Sequence, residues 1–256
     1  MTSAPIRDLM EEAVELAHSA AVLTLGWFRR RDLVVDGKAD GTEVTEADRA
    51  AEMLVKDYLA EHRPHDAVIG EEFGRTGGTS GLTWIVDPID GTFGFVRGVP
   101  LYATLVAVSD AQGPLVGVID LPALDQRVFA GRGEGCWSGQ SRCSVSTTDA
   151  LPGALVCASD WSLASESQLV SLRRAGVHMR TWGDAYGYAM VATGQADAMV
   201  DPVCSAWDLA PMGVILSEAG GNFTSLGGEA SYTAGSGLGT NGRVHQDLLA
   251  RMAGAT

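Results

Sequence analysis

The sequence predicts a fold of mixed α and β class, and three patterns support that prediction. Between residues 6 and 59 apolar side chains recur at three- and four-residue steps, which is typical of amphipathic helices. Between residues 67 and 130 short apolar runs are bounded by turn residues, which is typical of strands. After residue 144 strand-like and helix-like segments alternate. We therefore expect a helix-first, sheet-second half followed by an alternating half.

The first half is predicted to open with two helices. Residues 6–28 place Leu9, Ala13 and Leu16 on one apolar face. A second helix is expected to begin after Thr45, because Asp48 three positions later completes a capping-box pattern. The predicted strands that follow are residues 67–69, 82–86, 101–108, 117–121 and 127–130.

The second half is predicted to hold strands at 154–159 and 196–200 and helices at 165–174, 185–193 and 209–219, the last of them ended by Gly220 and Gly221. Two glycine-rich stretches, residues 74–81 and 235–239, are predicted to be loops, and the first is expected to act as an active-site flap. We divide the chain at Ser144. Residues 1–144 form a helix-pair and antiparallel-sheet lobe that carries a metal site, and residues 145–256 form an α/β lobe that completes it.

Composition limits the class of protein. A formal net charge of −14 argues against nucleic acid and anionic membranes as partners, since both require a basic surface. No apolar run approaches the length of a membrane span, and residues 1–12 lack a secretory pattern, so we expect a cytoplasmic protein. The four cysteines form no C-x-x-C pair, which argues against both a zinc site and a disulfide scaffold.

Three acidic motifs follow predicted strands or open a predicted helix. They are Gly70-Glu71-Glu72-Phe73, Asp87-Pro88-Ile89-Asp90-Gly91-Thr92 and Ala206-Trp207-Asp208. The apolar strand before Asp87 must be buried, which places Asp87 at the carboxyl end of a core strand, where sheets host their sites. Carboxylates from three separate elements suit Mg²⁺ better than zinc. In the second motif the amides of Gly91 and Thr92 can also face an anion.

Each motif taken alone has a plainer interpretation. Asp90-Gly91 is typical of a turn, Asp208 of a helix cap, and Glu71-Glu72 of a solvated surface. Their occurrence together favours one shared site for metal and phosphate. The sequence therefore predicts a site where Mg²⁺ meets the phosphate group of a small metabolite, an arrangement that suits hydrolysis of a phosphate ester by a metal-activated water.

In order and spacing, the three motifs resemble those of the inositol monophosphatase family. The resemblance implies a layered αβαβα sandwich, usually a homodimer, and an Mg²⁺-dependent phosphatase with two or three ions. Carried over, Glu71, Asp87 and the Ile89 carbonyl hold one ion, Asp87, Asp90 and Asp208 hold a second, and Glu71 faces a third. Thr92 paired with Asp48 orients the attacking water; a helix-cap role for Asp48 stays open beside this one and is compatible with it.

The Gly183-Asp184 stretch and Arg97 resemble the histidinol-phosphate branch of that family, and Asp201 occupies its second substrate-contact position. A carboxylate at Asp184 can pair with the ammonium of histidinol phosphate, which implies a role in histidine biosynthesis. The alternative is that Asp184 only caps a helix. Phe93 and Gly94 depart from the family pattern after Asp-Gly-Thr, which leaves inositol 1-phosphate or another sugar or cyclitol phosphate open as the substrate.

Other classes fit the residues less well. A haloacid-dehalogenase-type phosphatase requires Asp-x-Asp-Gly-Thr, whereas here two residues separate Asp87 from Asp90. The G-x-S-x-G motif of serine hydrolases and the phosphate-binding G-x-x-x-x-G-K-[ST] are both absent from the sequence. A non-enzymatic, metal-binding regulatory module predicts a missing ligand, yet all four acids and Thr92 are present.

Overall fold

The computed structural model describes residues 5–38 and 41–253 and, within them, eight α-helices and fifteen β-strands. The helices are α1 (Ile6–Trp27), α2 (Glu46–His62), α3 (Thr92–Val96), α4 (Glu166–Arg174), α5 (Asp184–Ala192), α6 (Ala206–Leu209), α7 (Met212–Glu218) and α8 (His245–Met252). The strands are β1 (Val35–Gly37), β2 (Glu43–Thr45), β3 (Ala67–Gly70), β4 (Gly74–Thr76), β5 (Thr83–Asp90), β6 (Ala103–Asp110), β7 (Gly113–Leu121), β8 (Gln126–Gly131), β9 (Gly135–Ser138), β10 (Ser141–Arg142), β11 (Leu155–Ala158), β12 (His178–Arg180), β13 (Ala198–Asp201), β14 (Asn222–Thr224) and β15 (Gly237–Thr240).

The strands form two large sheets and one small one. The eight-stranded sheet has the order β10-β9-β8-β7-β6-β5-β3-β4 and is antiparallel except between β3 and β5. The five-stranded sheet has the order β12-β11-β13-β15-β14, in which β15 runs antiparallel to both neighbours. β1 and β2 pair separately. Each large sheet lies within one of the two predicted lobes, and the boundary at Ser144 stays a prediction.

The two large sheets divide the apolar interior into layers. One face of the eight-stranded sheet packs against α1 and α2, as in the cluster that joins Leu9 to Val106. Its opposite face packs against α5 and α7 and, through them, the five-stranded sheet; Leu105 and Ile215 belong to this cluster. The outer face of the five-stranded sheet is covered by α4 and α8, with Leu172 in the cluster. The layers run helix, sheet, helix, sheet, helix, which confirms the predicted αβαβα sandwich.

Two stretches predicted as glycine-rich loops contain strands. Gly74–Thr76 forms β4, which pairs with β3 at the sheet edge. Gly237–Thr240 forms β15, an interior strand of the five-stranded sheet. A Cβ on Gly237 would lie 2.3 Å from Tyr188 Oη, and one on Gly239 would lie 2.6 Å from Leu216 Cδ1. These glycines are therefore required by close packing, which a local pattern does not reveal.

The helix predicted at 209–219 is divided in two. α6 ends at Leu209, Pro211 follows, and α7 begins at Met212. Proline has no N–H to donate, so the helical hydrogen-bond pattern is interrupted at Pro211, although Ala210 and Pro211 keep right-handed helical backbone angles. Among the described residues, no helix is both long and apolar enough to cross a bilayer.

Candidate active site

Strand β5 carries two of the acids into the interior. Its residues from Trp84 onward are buried, and both Asp87 and Asp90 lie at its carboxyl end. The pairing between β5 and β6 changes register between these two aspartates. This irregularity accommodates Pro88, which cannot donate a ladder hydrogen bond. One buried strand thus presents two carboxylates at the same edge.

The third acid comes from the other half of the chain. Asp208 in α6 lies so that oxygen atoms of Asp87, Asp90 and Asp208 fall within 4.8 Å of one another. Asp208 Oδ2 also accepts a hydrogen bond of 2.8 Å from Ser205 N–H, so the capping and cluster interpretations both hold. Asp87 Oδ1 is buried and has no hydrogen-bond partner among the described residues. An orphaned carboxylate oxygen beside two further carboxylates fits a divalent cation with oxygen ligands.

Crowding perturbs the titration of these acids. Burial, followed by the charges of Glu71, Asp90 and Asp208, raises the pKa of Asp87 well above its usual range. Burial, followed by the charges of Asp184 and Asp208, does the same to the pKa of Asp90. A cation bound here reverses the balance by favouring the ionised forms. The electrostatics therefore fit a site that a metal completes.

Glu71 follows β3 at the rim of the cluster and lies in contact with Asp87. Lys38 Nζ lies 2.6 Å from Glu71 Oε1 and 2.6 Å from Glu72 Oε1. The Lys38 ammonium thus balances two rim carboxylates. Sequence reasoning assigned Lys38 no role, because nothing in its local pattern distinguishes it from a surface lysine.

Asp48 connects a helix cap to the site. The predicted capping box is present: Thr45 N–H donates to Asp48 Oδ2 at 2.7 Å, and Thr45 Oγ1 accepts from the backbone of the first turn of α2. Asp48 Oδ1 lies 3.3 Å from the Thr92 hydroxyl, which itself lies 2.8 Å from the Ile89 carbonyl oxygen. Burial raises the pKa of Asp48 to about 6. The cap and the Thr92 contact are made by the two oxygens of one carboxylate.

Asp184 is the first residue of α5 and has a left-handed backbone, with φ at 53°. Gly183 occupies the N-cap position, and the first N–H groups of α5 are bonded by Ser159 and Asp90 and not by the Asp184 side chain, so the interpretation of Asp184 as only a cap is not borne out. Its Oδ2 points at Gly91, where an added Cβ would lie 2.9 Å away. The next N–H, of Ala185, donates to Asp90 Oδ2 at 2.6 Å. Asp184 therefore stands beside the acid cluster.

The remaining predicted substrate contacts, Asp201 and Arg97, lie outside the cluster of three aspartates. Asp201 is buried at the end of β13 and accepts a 2.7 Å hydrogen bond from Ser159 Oγ. Burial raises the pKa of Asp201 to about 6. The Arg97 guanidinium pairs with Glu43 at 2.8 Å and lies 3.5 Å from the centre of the Phe93 ring. Arg97 thus contacts Glu43 and Phe93 and lies outside the acid cluster.

A cleft of about 410 Å³ opens over the cluster. Its walls are Gly41, Thr42, Glu43, Glu71, Asp87, Ile89, Asp90, Gly91, Thr92, Phe93, Asp184 and Asp208. This volume is typical of sites for small metabolites. Most of the predicted metal and substrate residues thus share one cavity, while Asp48, Asp201 and Arg97 support it from outside.

Comparisons with known proteins agree with this geometry. The profile of the inositol monophosphatase family matches residues 6–255. The chain is 41% identical over 254 residues to a histidinol-phosphatase of Mycobacterium tuberculosis, covering 96% of this chain and 97% of the relative. It is 40% identical over 255 residues to a histidinol-phosphatase of Streptomyces coelicolor, with 94% and 96% covered. The solved structure of an IMPase of Thermotoga maritima superposes with a TM-score of 0.88 at 26% identity, covering 96% of this chain and 97% of that one.

The layered sandwich and its buried acid cluster define a phosphatase of a metal-dependent class. The chain belongs to the inositol monophosphatase family. The alternative of a non-enzymatic module is therefore not supported.

Proposed function

We propose that this protein hydrolyses histidinol phosphate to histidinol and phosphate, with Mg²⁺ bound at the acid cluster. The position of Asp184 is the observation that supports this choice of substrate. Its carboxylate faces the cleft beside Gly91, and none of the ion pairs among the described residues includes it. A carboxylate so placed suits the ammonium of an amino-alcohol phosphate. The names of the two bacterial relatives support the same substrate.

The metal ligands in this proposal are Glu71, Asp87 and the Ile89 carbonyl for one ion, Asp87, Asp90 and Asp208 for a second, and Glu71 for a third. The orphaned Asp87 Oδ1 and the all-oxygen donor set support this assignment. Bound ions supply charge neutralisation for the phosphate and lower the pKa of a coordinated water.

The chain's own groups position the reactants. The Gly91 backbone is left-handed, with φ at 82°, and turns the chain so that the amides of Gly91 and Thr92 face the phosphate in this proposal. Thr92 Oγ1 would accept a hydrogen bond from the attacking water and, with the Ile89 carbonyl engaged as a metal ligand, would turn its one proton from that carbonyl to Asp48 Oδ1. Asp48, whose pKa is raised to about 6 by burial, then accepts the proton that the attacking water loses through Thr92.

Substrate choice depends on charge at the cleft wall. Asp184 contacts the substrate ammonium, and Asp201, which the Ser159 hydroxyl links to the Asp184 backbone, adds negative charge when it is ionised and so raises the preference for a cation. On the family resemblance we also expect a homodimer and a cytoplasmic role in histidine biosynthesis.

Phosphate release with Mg²⁺ tests the proposal. We compare kcat/KM for histidinol phosphate, inositol 1-phosphate and glycerol 2-phosphate in the wild type, in Asp184→Asn and in Asp57→Asn, a surface control on α2. We expect histidinol phosphate to be preferred by at least about tenfold, and Asp184→Asn to remove most of that preference. Equal or inositol-favouring activity in the wild type overturns the proposed substrate. It would favour the second candidate, an inositol-1-phosphate phosphatase, which the similarity to the Thermotoga maritima IMPase supports.

A further inference from the structure

We infer that Ser159 is a positioning residue that holds Asp184 and Asp201 in the arrangement that recognises a substrate ammonium. The inference rests on the proposed function and adds to it a residue outside the three acidic motifs. Ser159 follows β11 directly, at the carboxyl end of a strand that runs parallel to β13. It therefore lies at the same sheet edge as Asp201.

One hydroxyl group joins the two acids. Ser159 Oγ donates to Asp201 Oδ1 at 2.7 Å and accepts the backbone N–H of Asp184 at 2.8 Å. A serine hydroxyl has one proton to donate, and here that proton is directed to Asp201 while a lone pair serves Asp184. The Ser159 N–H also points at Asp201 Oδ1, at 3.4 Å. Replacing this side chain with alanine removes both side-chain links at once.

Asp184 depends on such a link because its backbone is in an uncommon conformation. A φ of 53° is uncommon for non-glycine residues, although aspartate adopts it more readily than most, and the contacts around Asp184 help to hold it there. The preceding residue is pressed against Ser159, since a Cβ on Gly183 would lie 2.1 Å from Ser159 Cα. The first residues of α5 thus pack against Ser159. We infer that the Ser159 hydroxyl fixes the direction of the Asp184 carboxylate through its bond to the Asp184 backbone.

The acid cluster is joined to α5 by a separate hydrogen bond. Ala185 N–H donates to Asp90 Oδ2 at 2.6 Å, and that bond does not involve Ser159. Removing the Ser159 hydroxyl therefore leaves the acid cluster and Thr92 in place. The expected consequence is a loss of ammonium recognition with the hydrolytic step preserved.

The test measures kcat and KM separately for histidinol phosphate and for glycerol 2-phosphate, which has no ammonium. The variants are Ser159→Ala and, as a control, Ser162→Ala, whose exposed hydroxyl donates to Asp160. In Ser159→Ala we expect KM for histidinol phosphate to rise about tenfold, with its kcat and both constants for glycerol 2-phosphate within about twofold of the wild type. Ser162→Ala should match the wild type throughout.

If Ser159 has only a structural role, the result differs, because the kcat of Ser159→Ala then falls for both substrates. Ser159→Thr keeps the hydroxyl and should restore the low KM for histidinol phosphate, which guards against a folding defect in the alanine variant. A wild-type preference for histidinol phosphate that survives in Ser159→Ala overturns this inference alone. No preference in the wild type overturns the proposed function and this inference with it.

Discussion

Replacing Asp87 with asparagine tests the acid cluster directly. The change removes one carboxylate from a set whose oxygens lie within 4.8 Å. At that separation and an effective dielectric constant of about 20, two ionised carboxylates repel by about 3.5 kcal/mol. Because the pKa of Asp87 is raised, protonation already relieves much of this repulsion in the metal-free protein. We therefore expect Asp87→Asn to stabilise the metal-free protein by about 1–2 kcal/mol, a rise in Tm of about 2–8 °C for a chain of this size.

Mg²⁺ should reverse this order, so that the wild type becomes more stable than Asp87→Asn. At a free Mg²⁺ concentration of about 100 times Kd, binding stabilises the wild type by about 2.7 kcal/mol, or roughly 5–11 °C in Tm. Asp87→Asn should show almost none of this shift, and its phosphate release should fall by at least about 100-fold. Thermal melts with and without Mg²⁺, together with a phosphate assay, measure both effects.

The pH dependence follows from the same shifted group. A folded-state pKa above the unfolded value means that the folded, metal-free protein binds this proton more tightly. Its stability should therefore fall as pH rises from about 4 through the folded pKa, and Asp87→Asn should flatten that fall. The surface control Asp57→Asn should leave both the slope and the Mg²⁺ response unchanged. Wild-type activity together with a wild-type Mg²⁺ shift in Asp87→Asn would refute the assignment.

Two further substitutions test packing and capping. Gly237→Ala should lower the free energy of unfolding by about 1–3 kcal/mol, because its Cβ would meet Tyr188 Oη at 2.3 Å. Urea unfolding measures this, and Gly77→Ala, with nothing within 4 Å of its Cβ, should cost far less. Thr45→Ala should cost about 1 kcal/mol of stability through the lost cap and should also lower kcat, because the Thr45 hydroxyl donates to Asp48 Oδ2 at 2.6 Å and so holds Asp48 opposite Thr92. Ser165→Ala removes the equivalent cap of α4 and should leave kcat unchanged, so a fall in kcat there would contradict the link.

The features that sequence reasoning predicts correctly are local. The capping box at Thr45 depends on side chains three residues apart, and α2 begins at the residue that this spacing indicates. Likewise, Asp87 and Asp90 follow a continuous apolar run, so their burial at a strand end follows from the pattern of the sequence alone. The order of the motifs predicts that Asp208 lies near them, and the 4.8 Å cluster bears this out.

The features that sequence reasoning misses depend on distant contacts. β15 is rich in glycine and has low strand propensity, yet Tyr188 and Leu216 from other elements fill the space that larger side chains would take. The role of Ser159 has no local signal, since its two partners lie 25 and 42 positions away. Asp184 lies inside the helix start with a left-handed backbone, and distant Ser159 and Asp90 bond the first N–H groups of α5, so the capping interpretation that its local pattern favours is not borne out.

The hydrogen bond between Ala185 and Asp90 has a consequence for the molecule as a whole. It joins the first turn of a helix in the second half to a carboxylate from the first. The same few atoms thus join the two halves and belong to the proposed metal site. The proposed site takes Asp87 and Asp90 from the first half and Asp208 from the second, so a change at this contact is expected to alter both the cohesion of the halves and the activity.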